Sequence, residues 1–341
     1  MKSHTVPKKL LEQFAFDEPR TRSKRLWRYQ KGLPPYGKAA PISATRWDGH
    51  FADPADPDKE AQLEKQLEQR FEHPVNQLID VIGYRTFPWR PRDIRALTGY
   101  FTMLFTRSRA RRSASKGEAD LAIGALRSVL SDDQALSEIV AKFTLDAINA
   151  GLDYSMVAKE QVAEEIENAI TRHSDPDEAQ RRYIHAVETM MNFAEENLLN
   201  GEWRVFHSEP DTPFVIGDAP AVTWERTEQG ELIFGQGLAR PNVEAFLPVS
   251  PTTCLHLLPQ VARTRQVRRP RTVEINRAQA AFATEHCFAN VCSKELDEML
   301  QPWFGTMRVG IDGFSIAHID QKKLFVDLLM GRAQPPALAM R

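Results

Sequence analysis

Four glutamates recur every fourth residue, at Glu60, Glu64, Glu68 and Glu72. At the α-helical advance of ~100° per residue they share one face, drifting by ~40° per step. Like charges at this spacing disfavour a helix by ~0.2–0.5 kcal/mol per pair. Such a row is solvated, neutralised by arginines from another element, or used to hold a cation, and the sequence leaves the three readings open. Two other ionisable residues stand beside prolines. Gly217-Asp218-Ala219-Pro220 makes a tight turn in which Asp218 is aimed across a sheet edge or caps backbone N–H groups nearby. His4 precedes Pro7, which fixes a helix start. Pinned against the body of the protein, His4 can serve as a general base or metal ligand; otherwise it is a solvated residue.

Two arginine clusters add positive charge. Arg107, Arg109, Arg111, Arg112 and Lys116 end one helix, and Arg263, Arg265, Arg268, Arg269 and Arg271 fill a proline-bounded connection. The chain has 44 basic and 46 acidic residues and a net charge of −2, so no global field attracts an anion. Local clusters of this kind imply an acidic partner or a phosphate site. For the first cluster, the helix dipole is a sufficient alternative explanation. Nothing in the pattern supplies base specificity.

The length of 341 residues and a hydrophobic content of 42% allow a sizeable core. Three cysteines, Cys254, Cys287 and Cys292, argue against a disulfide framework and for a reducing cytoplasm. No apolar run spans a bilayer and no signal-peptide core follows the first lysines, so no membrane partner is expected. GxGxxG, GxxxxGK[ST], HExxH and GxSxG patterns are absent.

The elements that must position these residues follow from periodicity. Residues 6–15 predict a short amphipathic helix and Leu26–Tyr29 a strand; residues 33–57, rich in proline, predict a loop. Asp56 and Pro57 predict a helix start. From about 58 to 200 the pattern is helical, with Leu63, Leu67, Phe71, Val75 and Leu78 as a buried stripe and Pro74 as a kink. From about 201 to 275 short β-rich runs alternate with turns, which predicts an antiparallel sheet. Helices return over 276–302 and 320–331. The fold class is α+β: a helical layer packed on an antiparallel sheet with C-terminal helices, and an N-terminal segment (1–57) docking on the body. One continuous unit is expected.

The order of several segments resembles the family labelled domain of unknown function 4238. His4 to Phe14 is similar to its opening, and Arg25-Leu-Trp-Arg-Tyr29 to its next strand. A glutamate-bearing helix, Gln62–Ile82, and a helix ending in an arginine, Arg107, follow. Phe214–Pro220 resembles its Phe-x-x-Ser-Asp-x-Pro turn, with Gly217 at the serine position. Phe246-Leu-Pro-Val-Ser-Pro251 and Ile275-Asn276 complete the order, over roughly residues 4–295. The resemblance implies no settled activity. It does imply that His4, the Glu64–Glu72 face and Asp218 converge near one groove.

These readings together predict a phosphodiester hydrolase, nuclease-like, acting on RNA or DNA as a toxin or anti-phage effector. His4, Glu64, Glu68 and Asp218 would be the catalytic residues, with Glu68 or Asp218 holding Mg²⁺ and His4 moving the proton, and Arg107, Arg109, Arg265 and Arg268 would bind the substrate phosphate. The rival expectation is a non-enzymatic sensor or adaptor that binds an acidic partner or phosphate ligand through its arginines.

Overall fold

The computed structural model describes residues 2–307 except for 5, 20–22, 34–39, 42–45, 49–55, 57, 85–88, 109–111, 113–119, 121–122, 150–157, 178–179, 182, 185–186, 188–197, 200, 236–241 and 259–268. The chain divides into two compact units. The first combines Met1–Ser113 with Tyr183–Gly313 and holds both larger sheets. The described part of the second lies within residues 114–182. There, a helix over 123–130 and the helices Asp133–Asn149 and Lys159–Ser174 close a small core of Leu126, Leu136, Val162 and Ile166.

In the first unit, β1 (Lys2–His4) pairs with β5 (Arg46–Asp48), α1 is Lys8–Gln13, and β2 (Phe16–Asp17), β3 (Lys24–Gln30) and β4 (Ala40–Pro41) form a meander. Helix α2 (Lys59–Leu67) starts two residues later than Asp56 predicts; the Asp56 carboxylate accepts the N–H of Asp58 instead. A π-helical turn, Glu68–Glu72, leads into α3 (His73–Ile79). Pro74 explains the turn. It has no N–H to donate, and its ring would strike the carbonyl of Arg70 in a regular helix. The chain winds wider, and His73 N–H donates to Glu68 O, five residues back. Helix α4 (Pro91–Thr106) begins with an extended Arg90, proline at its first position and Asp93 in its first turn.

The main sheet has the order β6 (Glu202–His207), β11 (Thr253–Leu258), β10 (Val243–Ser250), β8 (Val222–Arg226), β9 (Leu232–Phe234), all antiparallel. Its central strands lack polar alternation because both faces are covered. On one face Trp203 meets Phe101 of α4 edge-on, so α4 packs on the sheet. On the other face Trp224, Phe246, His256 and Phe206 form a continuous ring stack. Arg226, on this second face, pairs with Glu274 of a helix at Thr272–Phe282. We label Asp133–Asn149 α5, Lys159–Ser174 α6, this helix α7, and Lys294–Leu300 α8.

A second sheet, β2-β3-β12-β7, was not expected. Strand β12 (His286–Ala289) falls where the sequence predicts helix, and β7 is Ile216–Gly217. The reason is tertiary. Asp218 accepts the N–H groups of Thr284, Glu285 and His286, which in a continuing helix would bond to carbonyls one turn back. The carbonyls of Ala280 and Ala281 take the N–H groups of Gly305 and Met307 instead.

The run Pro213–Pro220 has no ladder neighbour on its α7 side, and two side-chain amides of α7 replace one. Asn276 accepts from Val215 N–H at 3.0 Å and donates to Pro213 O at 2.9 Å. Gln279 accepts from Gly217 N–H at 2.8 Å and donates to Pro220 O at 2.8 Å. The approach is close: a Cβ on Gly217 would lie 2.8 Å from Gln279 O, so serine at this position requires the helix to shift. Gln279→Met leaves a buried donor and a buried acceptor unpaired. A loss of about 2–4 kcal/mol is expected in equilibrium urea unfolding; a loss under about 0.5 kcal/mol would show that water replaces the amide.

Candidate functional site

Two members of the glutamate row, Glu64 and Glu72, are neutralised by an arginine from another element. Arg107, just past α4 and 1% exposed, sends Nη1 to Glu72 Oε1 at 3.0 Å and Nη2 to both Glu64 oxygens at 3.4 Å. In a regular α-helix, residues eight apart lie ~80° out of phase. The slower winding of the π-helical turn takes back part of that angle, so one guanidinium reaches both carboxylates. Glu68, between them in sequence, is exposed to solvent. Burial raises the proton affinity of Glu72, outweighing Arg107, and Glu64 and Glu68 raise it further. The Tyr100 hydroxyl is buried in this region without a hydrogen-bond partner among the described residues.

Arg107 is sealed among protein groups as a counter-ion to Glu64 and Glu72. Asp218, 4% exposed, spends Oδ1 on Thr284 N–H at 2.8 Å and Oδ2 on Glu285 at 2.9 Å and His286 at 3.2 Å. Its geometry is that of a cap on the turn after α7. Asp218 and the Glu64–Glu72 group share no partner among the described contacts. Mg²⁺ demands near-octahedral oxygen ligation. Of the acidic groups considered for it, Asp218 accepts from three amides, a guanidinium sits between Glu64 and Glu72, and Glu68 is exposed. Among the described residues no three His, Cys, Asp or Glu side chains converge on a metal position.

His4 lies in β1 opposite Arg46. Its side chain, together with Arg109, Arg265 and Arg268, lies outside the described residues. The C-terminal end of the second arginine run is described and meets an open cleft of about 280 Å³. The exposed His207, Glu209, Arg269 and Arg271 line it together with the more buried Phe206, Phe214 and Ile275, so two guanidinium groups face one carboxylate. Arg269 is exposed, and Arg271 leans toward Glu274 at 3.8 Å. Thr272 Oγ1 accepts the N–H of Glu209, which ties the end of β6 to the start of α7. A larger hollow, about 470 Å³, is lined by Glu225, Arg226, Thr227, Glu228 and Asn242. Its arginine is committed to Glu274, so carboxylates dominate and anions are repelled. His207 and Phe206 escaped the sequence reading because only strand register brings β6 against α7.

The fold and site define an α+β protein in which Glu64, Glu72 and Asp218 are internally paired and Arg269 and Arg271 open onto a cleft at the start of α7. Among the described residues, no helix is long and apolar enough to cross a membrane. The chain belongs to the family described as protein of unknown function (DUF4238), whose model matches residues 2–295. No match is found among curated proteins or among solved structures. The family order noted in the sequence acquires physical meaning here: the glutamate helix meets the arginine that ends the next helix, and the Phe214–Pro220 turn meets the Ile275-Asn276 helix.

Because the proton affinity of Glu72 is raised on folding, protonation favours the folded state, and that contribution is lost as pH rises through the folded-state pKa. Glu72→Gln removes this dependence. Its stability relative to wild type is expected to rise between about pH 4 and about pH 7 in denaturant titrations; a difference that is flat or falls with pH would contradict the assignment.

Proposed function

We propose that this chain is a binding component, a sensor or adaptor, that takes a phosphate-bearing ligand in the cleft framed by His207, Arg269 and Arg271. One observation carries the reading: the guanidinium groups of Arg269 and Arg271 open onto a cleft, whereas Glu64, Glu72 and Asp218 are already satisfied by protein groups. In a chain of net charge −2, the attraction is local and short-ranged. Planar guanidinium groups match phosphate oxygens with two parallel hydrogen bonds. The dipole of α7 adds little, because Glu274 already occupies its first turn.

Calorimetry with inorganic phosphate and with pyrophosphate tests the reading. Arg269→Ala and Arg271→Ala are each expected to weaken binding about tenfold, roughly 1.4 kcal/mol, and added salt to weaken it further. No heat from the wild type, or equal affinity in the double variant, would remove the proposal.

A second reading is favoured by the raised proton affinity of Glu72 at a partly open position. In it the chain hydrolyses a phosphodiester of RNA or DNA with Glu72 moving the proton. Incubation with mixed nucleic acid, with and without Mg²⁺, decides this. Degradation lost in Glu72→Gln supports hydrolysis; none by the wild type, or equal degradation by the variant, ends it.

A further inference from the structure

We infer, resting on the cleft-binding reading above, that the phosphate-bearing ligand is a nucleotide whose base stacks on Phe206 while Arg269 and Arg271 hold its phosphate. The register of the main sheet puts Phe246 opposite His256, and Phe206 opposite Cys254, one step away on the same face. The rings follow one another. Trp224 and Phe246 have centroids 3.9 Å apart, Phe246 and His256 lie 4.5 Å apart and 4° from parallel, and His256 and Phe206 lie 5.0 Å apart and 26° from parallel. Trp224, Phe246 and His256 are fully buried. Phe206 is half-buried and ends the stack at the cleft floor.

A bare phosphate or a phosphorylated sugar uses only the rim of such a cleft. A base uses the floor as well, because it presents a flat π-face to the terminal ring and extends an existing stack. Burial lowers the proton affinity of His256, against the opposing pull of the Glu244 carboxylate 2.9 Å from its Nε2. Every base has such a face, so this arrangement discriminates nucleotide from non-nucleotide without choosing among bases. The cleft of about 280 Å³ lies at the small end of ligand pockets, which suits one nucleotide rather than several.

The test is calorimetry on the full chain with ribose 5-phosphate, the four mononucleotides and a short single-stranded oligonucleotide. Wild type is expected to bind mononucleotides at least about tenfold tighter than ribose 5-phosphate. Phe206→Leu is expected to reduce nucleotide affinity to the ribose 5-phosphate level while leaving ribose 5-phosphate binding unchanged. Phe206→Tyr, which keeps the flat ring, is expected to retain the preference and guards against a fold defect in the leucine variant. Equal wild-type affinity for ribose 5-phosphate and nucleotides would overturn this inference and leave the phosphate-binding reading standing. Failure of every phosphate compound to bind would overturn both. The oligonucleotide arm assigns the source: binding tighter than any mononucleotide points to a strand, and equal binding to a free nucleotide.

Discussion

The hydrogen bonds from Asn276 and Gln279 to the backbone of Pro213–Pro220 are the constraint on which the rest of this arrangement depends. An extended run beside a helix leaves N–H and C=O groups that water cannot reach, and an unpaired buried group costs about 1–3 kcal/mol. Each side-chain amide offers one donor and one acceptor, as a peptide unit does. At positions three apart on α7, they stand in for a missing strand. This fixes α7 against the end of the second sheet. It also places Asp218 where it captures the three N–H groups that stop the helix, and brings the start of α7 beside β6. The cleft is the space left between those two ends.

The Arg107 cluster works by a different principle. Removing a guanidinium and two carboxylates from water is costly, and such groups are often no more stabilising than apolar residues of similar volume. Their effect here is geometric: only a helix widened at Glu68–Glu72 lets one arginine reach both Glu64 and Glu72. The cluster fixes the register of the glutamate helix against α4, and it leaves Glu72 with a proton affinity that a solvated carboxylate does not have.

Much of this fold was legible in the sequence. The helical stripe from Leu63 to Leu78, the strand at Leu26–Tyr29 and the main-sheet strands follow local periodicity, and all were expected. What the sequence concealed depends on distant partners. β12 reads as helix because nothing local reveals that Asp218 will intercept its first amides. The π-helical turn is signalled by Pro74 only as an unspecified kink. Pairing of the glutamate row with an arginine was one of three open readings, and Arg107 was named for a different task. Asp218 looked available because a carboxylate in a glycine–proline turn usually finds its hydrogen bonds nearby, whereas here they come from residues 284–286. The cleft drew on Arg269 and Arg271, which the charge pattern singled out, and on His207 and Phe206, which no pattern marked.

Native-state hydrogen exchange at Val215 and Gly217 tests the clamp most directly. If the amides of α7 hold the Phe214–Pro220 run as a structural frame, both N–H groups should exchange only through global unfolding, with the denaturant dependence of the whole first unit. Exchange of either through a low-energy local opening, independent of denaturant, would contradict the clamp and remove the frame from which the cleft is built.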